Sequence, residues 1–185
     1  MYMIRIIVSL MLLLPLTAVA QQFNEYDRKV FNEGQVLTNA DVEFAPDTAV
    51  WNPHDPVRVY SIHDEGDETI VTFLYSIYFD SQWLTFSKGI YVEDDRSGDI
   101  YKVRGYADGL TMDRLLVVKG CKGRSILVSL RFPKFRRSVK RISIYNPGHV
   151  DDIRPSNSHK GREVYVSGAS VKKLKKNHRK YSIYE

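Results

Sequence analysis

The sequence predicts an all-β protein: an immunoglobulin-like antiparallel β-sandwich of about 7–9 strands, preceded by a cleaved signal helix and followed by a basic tail. Three observations carry this expectation. From Val57 onward apolar and polar residues alternate in short runs, Asp- and Gly-rich turns separate the runs, and no convincing helical period lies between them. An aromatic share of 12% also suits pleated, half-buried surfaces.

Residues 69–79 form the clearest run. Val71, Phe73, Tyr75, Ile77 and Phe79 share one face, expected in the core, and Thr72 and Ser76 lie on the other. Ile126, Val128, Leu130 and Phe132 repeat the pattern, opposed by Ser125, Ser129 and Arg131. Shorter strands are expected at 57–62, 83–86, 90–93, 100–104, 115–118, 141–145 and 163–167. Asp94-Asp95-Arg96-Ser97-Gly98-Asp99 and His63-Asp64-Glu65-Gly66-Asp67-Glu68 read as the turns of two hairpins.

The flanks read differently. Arg5, the apolar run from Ile6 to Leu16 and the small residues of Ala18-Val19-Ala20 read as a signal peptide over 1–20, with a mature protein starting at Gln21. The run is too short for a transmembrane anchor and lacks a lipoprotein cysteine, so an exported protein is expected, periplasmic or at the outer surface. Residues 21–56 read as an irregular lead-in interrupted by Pro46, Pro53 and Pro56, with a short helix or extended arm possible at 24–36. The sandwich is expected over 57–148, then a loop with a possible edge strand over 149–170, and a basic tail over 171–185. Lys172, Lys173, Lys175, Lys176, Arg179 and Lys180 crowd that tail, where self-repulsion favours an exposed segment able to be removed without loss of the fold.

Charge divides along the chain. Between 21 and 100 there are 5 Lys and Arg against 16 Asp and Glu; between 101 and 185 there are 21 against 6. Such a division either presents a basic surface to an anionic partner or holds two halves of one fold together.

The succession Phe73-x-Tyr75, Trp83-x-x-Phe86-Ser87, Tyr91-x-Glu93-Asp94, Gly98-Asp99-x-Tyr101-x-Val103, Lys119-Gly120 and Phe132-Pro133 resembles small β-sandwich domains of secreted proteins from the Bacteroidetes. The resemblance spans roughly residues 57–145 and implies a fold, with no catalytic signature attached. Thioredoxin-like modules accompany some of those domains. This chain has no Cys-x-x-Cys, so a redox role does not carry over.

Motifs for nucleophilic hydrolysis, zinc proteolysis and nucleotide binding are missing from the sequence. Ser170-Val171-Lys172-Lys173 matches Ser-x-x-Lys but falls in the charged tail, where nothing would desolvate the lysine. Cys121, the only cysteine, sits among Lys119, Lys122 and Arg124, cations that would favour a reactive thiolate; no histidine is near it in sequence, and a plain turn thiol is the simpler reading. The acidic turns offer oxygen ligands of the kind calcium prefers without the spacing of a calcium loop, so neither a metal nor a cofactor is expected.

Three functions follow. The leading one is a non-enzymatic interaction module that docks on an envelope protein or surface component through Tyr78, Trp83 and Tyr106, expected near the surface. The second is binding of an anionic glycan or other polyanion through Arg136, Arg137, Lys140 and Arg141 together with Lys172, Lys173, Lys175, Lys176, Arg179 and Lys180. Export makes nucleic acid an unsuitable partner. The third is an enzyme built on an unrecognised carboxylate pair or on Cys121.

Overall fold

A computed structural model describes residues 34–46, 57–84, 86, 88–112, 114, 116–146 and 164–181. The expected signal peptide, the proposed helix or arm up to residue 33 and the loop over 149–161 lie outside the described residues. What is described is mostly β-structure in several largely antiparallel sheets.

The two strongest alternating runs become the central pair. β4 (Glu68–Ser76) and β10 (Ser125–Pro133) pair antiparallel over nine positions, from Ser76 opposite Ser125 to Glu68 opposite Pro133. Val71, Phe73, Ile126, Val128, Leu130 and Phe132 point into the core as their period of two requires. On the other face the hydroxyls of Thr72 and Ser129 bond at 2.9 Å. β3 (Val57–Glu65) flanks β4 through a two-residue turn at Gly66 and Asp67. Gly66 has φ +56° and Asp67 a negative φ, so only the first central position is left-handed, the requirement of a type II′ turn that glycine meets without strain. His63, Asp64 and Glu65 therefore belong to the strand. β2 (Glu43–Phe44) and β8 (Gly105–Tyr106) share the remaining edge of β10, at opposite ends.

A second sheet sets β9 (Leu116–Lys119) between β5 (Ser81–Leu84) and β1 (Gln35–Leu37), with β1 running parallel to β9. A third has the order β12 (Val164–Ser170), β11 (Arg141–Tyr145), β6 (Tyr91–Asp94), β7 (Ile100–Lys102). One core draws on all three: Leu84 and Val118 from the second, Phe73 and Leu130 from the first, Val92 and Ile144 from the third.

Several expectations are corrected. Residues 35–37 and 43–44 of the lead-in are strands of the core, and Phe44 lies beneath the guanidinium of Arg124, 3.1 Å from ring centre to carbon. Tyr106, expected at the surface, is buried where β8 pairs with the edge of β10, its ring edge-on to Phe86. Phe79, expected in the core, is 63% exposed, because β4 ends at Ser76 and the alternation lapses with the strand.

The largest correction is at the C-terminal end. Val171–Tyr181 is helix α1, with Val171 and Leu174 buried in the core. No glycine or proline interrupts those eleven residues, and their lysines are good helix formers. Two apolar residues three apart are too few for a membrane helix. They suffice for docking, since they share one face and β3 offers the surface. The Val171 N–H donates to the Lys140 carbonyl at 3.0 Å, and Asn177 Nδ2 donates to the Tyr60 carbonyl at 2.9 Å. No helix among the described residues is long and apolar enough to cross a membrane.

Candidate functional site

α1 and the connection from β10 to β11 face each other across a cleft of about 1100 Å³. The connection contributes Lys134, Arg136, Arg137 and Lys140, and Arg141 opens β11 beside them. The first turns of α1 contribute Lys172, Lys175 and Lys176. The backbone places these groups because β10 and β11 belong to different sheets, so the chain between them must cross the end of the core. Phe135 and Val139, both buried, pin that crossing from below and turn the intervening cations outward.

Asp64 is the one carboxylate among the described residues that lines the cleft. It accepts from Lys175 Nζ at 2.6 Å and from Thr69 Oγ1 at 3.0 Å. Burial works to raise this carboxyl, but the bonds from Lys175 and Thr69 and the charges of Lys175 and Lys134 outweigh it, and it sits below the usual carboxylate range. Arg136 pairs with Asp99 at 2.8 Å, Arg141 approaches Asp95 at 3.9 Å, and Lys134 donates to the Gly66 carbonyl at 2.7 Å. Among the described residues Arg137, Lys140, Lys172 and Lys176 have no carboxylate partner, and all four are exposed.

Local structure aims Arg141 across β12. Between Ile142 and Ile144 the β11–β12 register slips by a bulge, and Gly168 in that bulge has φ +65°. A Cβ on Gly168 would come within 2.5 Å of Arg141 Nη2, so the missing side chain is the space in which the guanidinium rests.

The helix end strengthens the field. α1 has no acidic residue in its first turn, where the macrodipole is positive and a carboxylate would ordinarily be favoured. Lys172 stands there instead, lining the cleft, with the exposed Lys173 beside it.

Sequence reasoning named both cationic runs, and the structure brings Arg136, Arg137, Lys140 and Arg141 together with Lys172, Lys175 and Lys176. Lys173 does not line the cleft. The side chains of Arg179 and Lys180 lie outside the described set. Lys134 and Asp64 were missed; a lysine one residue after the end of a strand carries no signal of its own, and Asp64 looked like a turn residue. Of the aromatic candidates, Tyr78 and Trp83 are half-buried and Tyr106 is core.

The other sequence candidates look structural. Cys121 is buried, and its thiol donates to Asn39 Oδ1 at 2.9 Å. Burial pushes the thiol upward, and the charge of Arg124 offsets only part of this, so the neighbouring cations do not make it a reactive thiolate. In the acidic turn at 94–99, Asp94 accepts from Ser97 Oγ at 2.7 Å and from the Arg96 N–H at 3.2 Å. Asp95 accepts from Ser143 Oγ at 2.7 Å. Among the described residues no three of His, Cys, Asp and Glu converge as metal ligands would. Comparison with protein-family models, with curated proteins and with solved structures finds no match for this chain.

Proposed function

We propose that this protein is an exported, non-enzymatic binder of an anionic polymer, an acidic glycan of the cell envelope, held in the cleft between α1 and the β10–β11 connection. The observation that carries the reading is the convergence of two cationic runs, far apart in sequence, on one cleft that has, among the described residues, eight Lys and Arg and a single carboxylate. Among the described residues Arg137, Lys140, Lys172 and Lys176 make no ion pair that would favour this arrangement in the fold. Like charges repel across the cleft, and lysines at a helix N-terminus oppose the macrodipole by about 0.3–1 kcal/mol each. An anionic partner reverses both signs.

Export is inferred from Arg5, the apolar run after it and Ala18-Val19-Ala20, and it favours a glycan over nucleic acid as the polymer. The three sheets that share one core support an immunoglobulin-like sandwich as the scaffold, of the kind seen in secreted domains of the Bacteroidetes.

The test is titration with heparin, alginate and polyphosphate of the wild-type chain and of the double variant Lys172→Glu/Lys176→Glu. Charge reversal at two exposed positions should leave the circular dichroism spectrum unchanged and weaken binding at least about tenfold, which corresponds to about 1.4 kcal/mol. Equal affinity of the two proteins for every polymer would refute the reading.

A second reading rests on Phe79, which stands 63% exposed beside Tyr78, with ring centres 6.5 Å apart, at the turn leading into β5. It supports docking on an envelope protein or surface component. Phe79→Ser would then abolish capture of that partner and leave polymer binding intact.

A further inference from the structure

α1 is held on β3 by polar contacts of different kinds. Lys175 pairs with Asp64 and Asn177 bonds the Tyr60 carbonyl. Next to Asn177, the imidazoles of His63 on β3 and His178 on α1 stack face to face, with ring centres 4.0 Å apart and planes 10° apart. His63 Nδ1 is buried and has no hydrogen-bond partner. Two neutral imidazoles can stack in this way. Two imidazolium ions at that separation repel, and the half-buried setting of both rings leaves less water to screen the repulsion.

We propose that the His63–His178 stack is an acid-sensitive latch: protonation drives the C-terminal half of α1 off β3 and loosens the helical wall of the cationic cleft. The effect on the cleft rests on the polyanion-binding reading; the latch itself does not. The charged groups acting on His63 are His178 from α1 and, on its own strand, Glu65 and Asp64, while β4 places Ile70 opposite it in the register.

Burial and the neighbouring His178 hold His63 below its ordinary value, and the carboxylates of Glu65 and Asp64 oppose them without prevailing. The undocked helix leaves His63 to titrate near its ordinary value of about 6.5, so the undocked state takes up the proton first. Docking is therefore at full strength above that pH and is lost as pH falls through it toward the lower value of the docked state. Asp64 stays ionised throughout this window, because its own carboxyl is held low, so the Lys175 pair persists while the latch opens. Protonation thus frees the end of the helix first.

Hydrogen exchange of the full chain, followed by mass spectrometry at pH 7.5 and 5.5 and corrected for intrinsic exchange rates, reads the latch directly. Amides of α1 should lose up to about tenfold in protection at the lower pH, the limit set by proton uptake of an imidazole of ordinary value one pH unit below that value, while β4 and β10 keep theirs. His178→Phe retains a stacking ring without the charge and should abolish the loss, and His63→Phe should do the same from the other side. Unchanged protection of α1 in the wild type, or an undiminished loss in both variants, overturns the latch. Heparin affinity measured in parallel should fall at the lower pH in the wild type and hold in His178→Phe. If heparin binds at neither pH, the cleft reading fails and the exchange result still decides the latch. If affinity is equal at both pH values while α1 exchanges faster, the link from latch to cleft is overturned.

Discussion

Asp94 shows how a residue that sequence pattern marks as a ligand candidate is used by the fold instead. Its carboxylate closes the β6–β7 turn through Ser97 Oγ and the Arg96 N–H, and the Ser97 bond comes first among the causes that hold the carboxyl below the usual range. Asp94→Ala should destabilise the protein by about 1–3 kcal/mol in urea unfolding, since hydrogen bonds to a charged group are lost together. Leu174 is the corresponding residue in α1: it is 8% exposed, and Leu174→Ala should cost about 2–5 kcal/mol in the same measurement. A solvated tail would give no change at all. Cys121, by contrast, should react slowly with a thiol reagent in the native state and quickly after unfolding, because the fold buries it and raises its thiol.

At the level of elements, the strands that alternate over nine residues were legible because a buried face imposes a period of two on every position. β4 and β10 stand where Thr69–Ser76 and Ser125–Phe132 alternate, and the shorter strands follow within a few residues of their expected ends. β1, β2 and β8 were not legible. Two or three residues carry no period, and each forms only because a partner edge is already present at β9 or β10. α1 was hidden for a related reason, since six cations in eleven residues resemble a solvated segment and only Val171 and Leu174 betray the docked face. Truncation after Ser170 should therefore lower stability by several kcal/mol, where a detachable tail would leave it unaltered. Gly168 works at this scale too. Gly168→Ala should strain the bulge by about 1–2 kcal/mol and push the Arg141 guanidinium aside, which the flexible side chain absorbs.

For the whole molecule, the division of charge along the sequence joins the two halves of the fold. Arg104 with Asp67 and Glu68, Arg131 with Glu68, Arg136 with Asp99, Arg141 with Asp95 and Lys175 with Asp64 all join the acidic first half to the basic second half. Exposed pairs of this kind contribute at most about 1 kcal/mol each, so they register the fold more than they stabilise it. Neutralisation is incomplete, and four cations without a carboxylate partner among the described residues line one cleft. The candidate residues could be named from the sequence, but their meeting could not, because it depends on β12 lying beside β11 and delivering α1 to the β10–β11 crossing. A polymer that binds only the folded cleft should raise the melting temperature, by the equivalent of about 2.7 kcal/mol at a hundredfold excess over its dissociation constant. The central claim is that four cations without carboxylate partners, Arg137, Lys140, Lys172 and Lys176, grip one anionic chain, and a salt series tests it most directly. The logarithm of heparin affinity plotted against the logarithm of salt concentration should fall with a slope of about four, one released counterion per free cation, and Lys172→Glu/Lys176→Glu should flatten it to about two or less. A slope near zero in the wild-type protein, or the same slope in both, would contradict it.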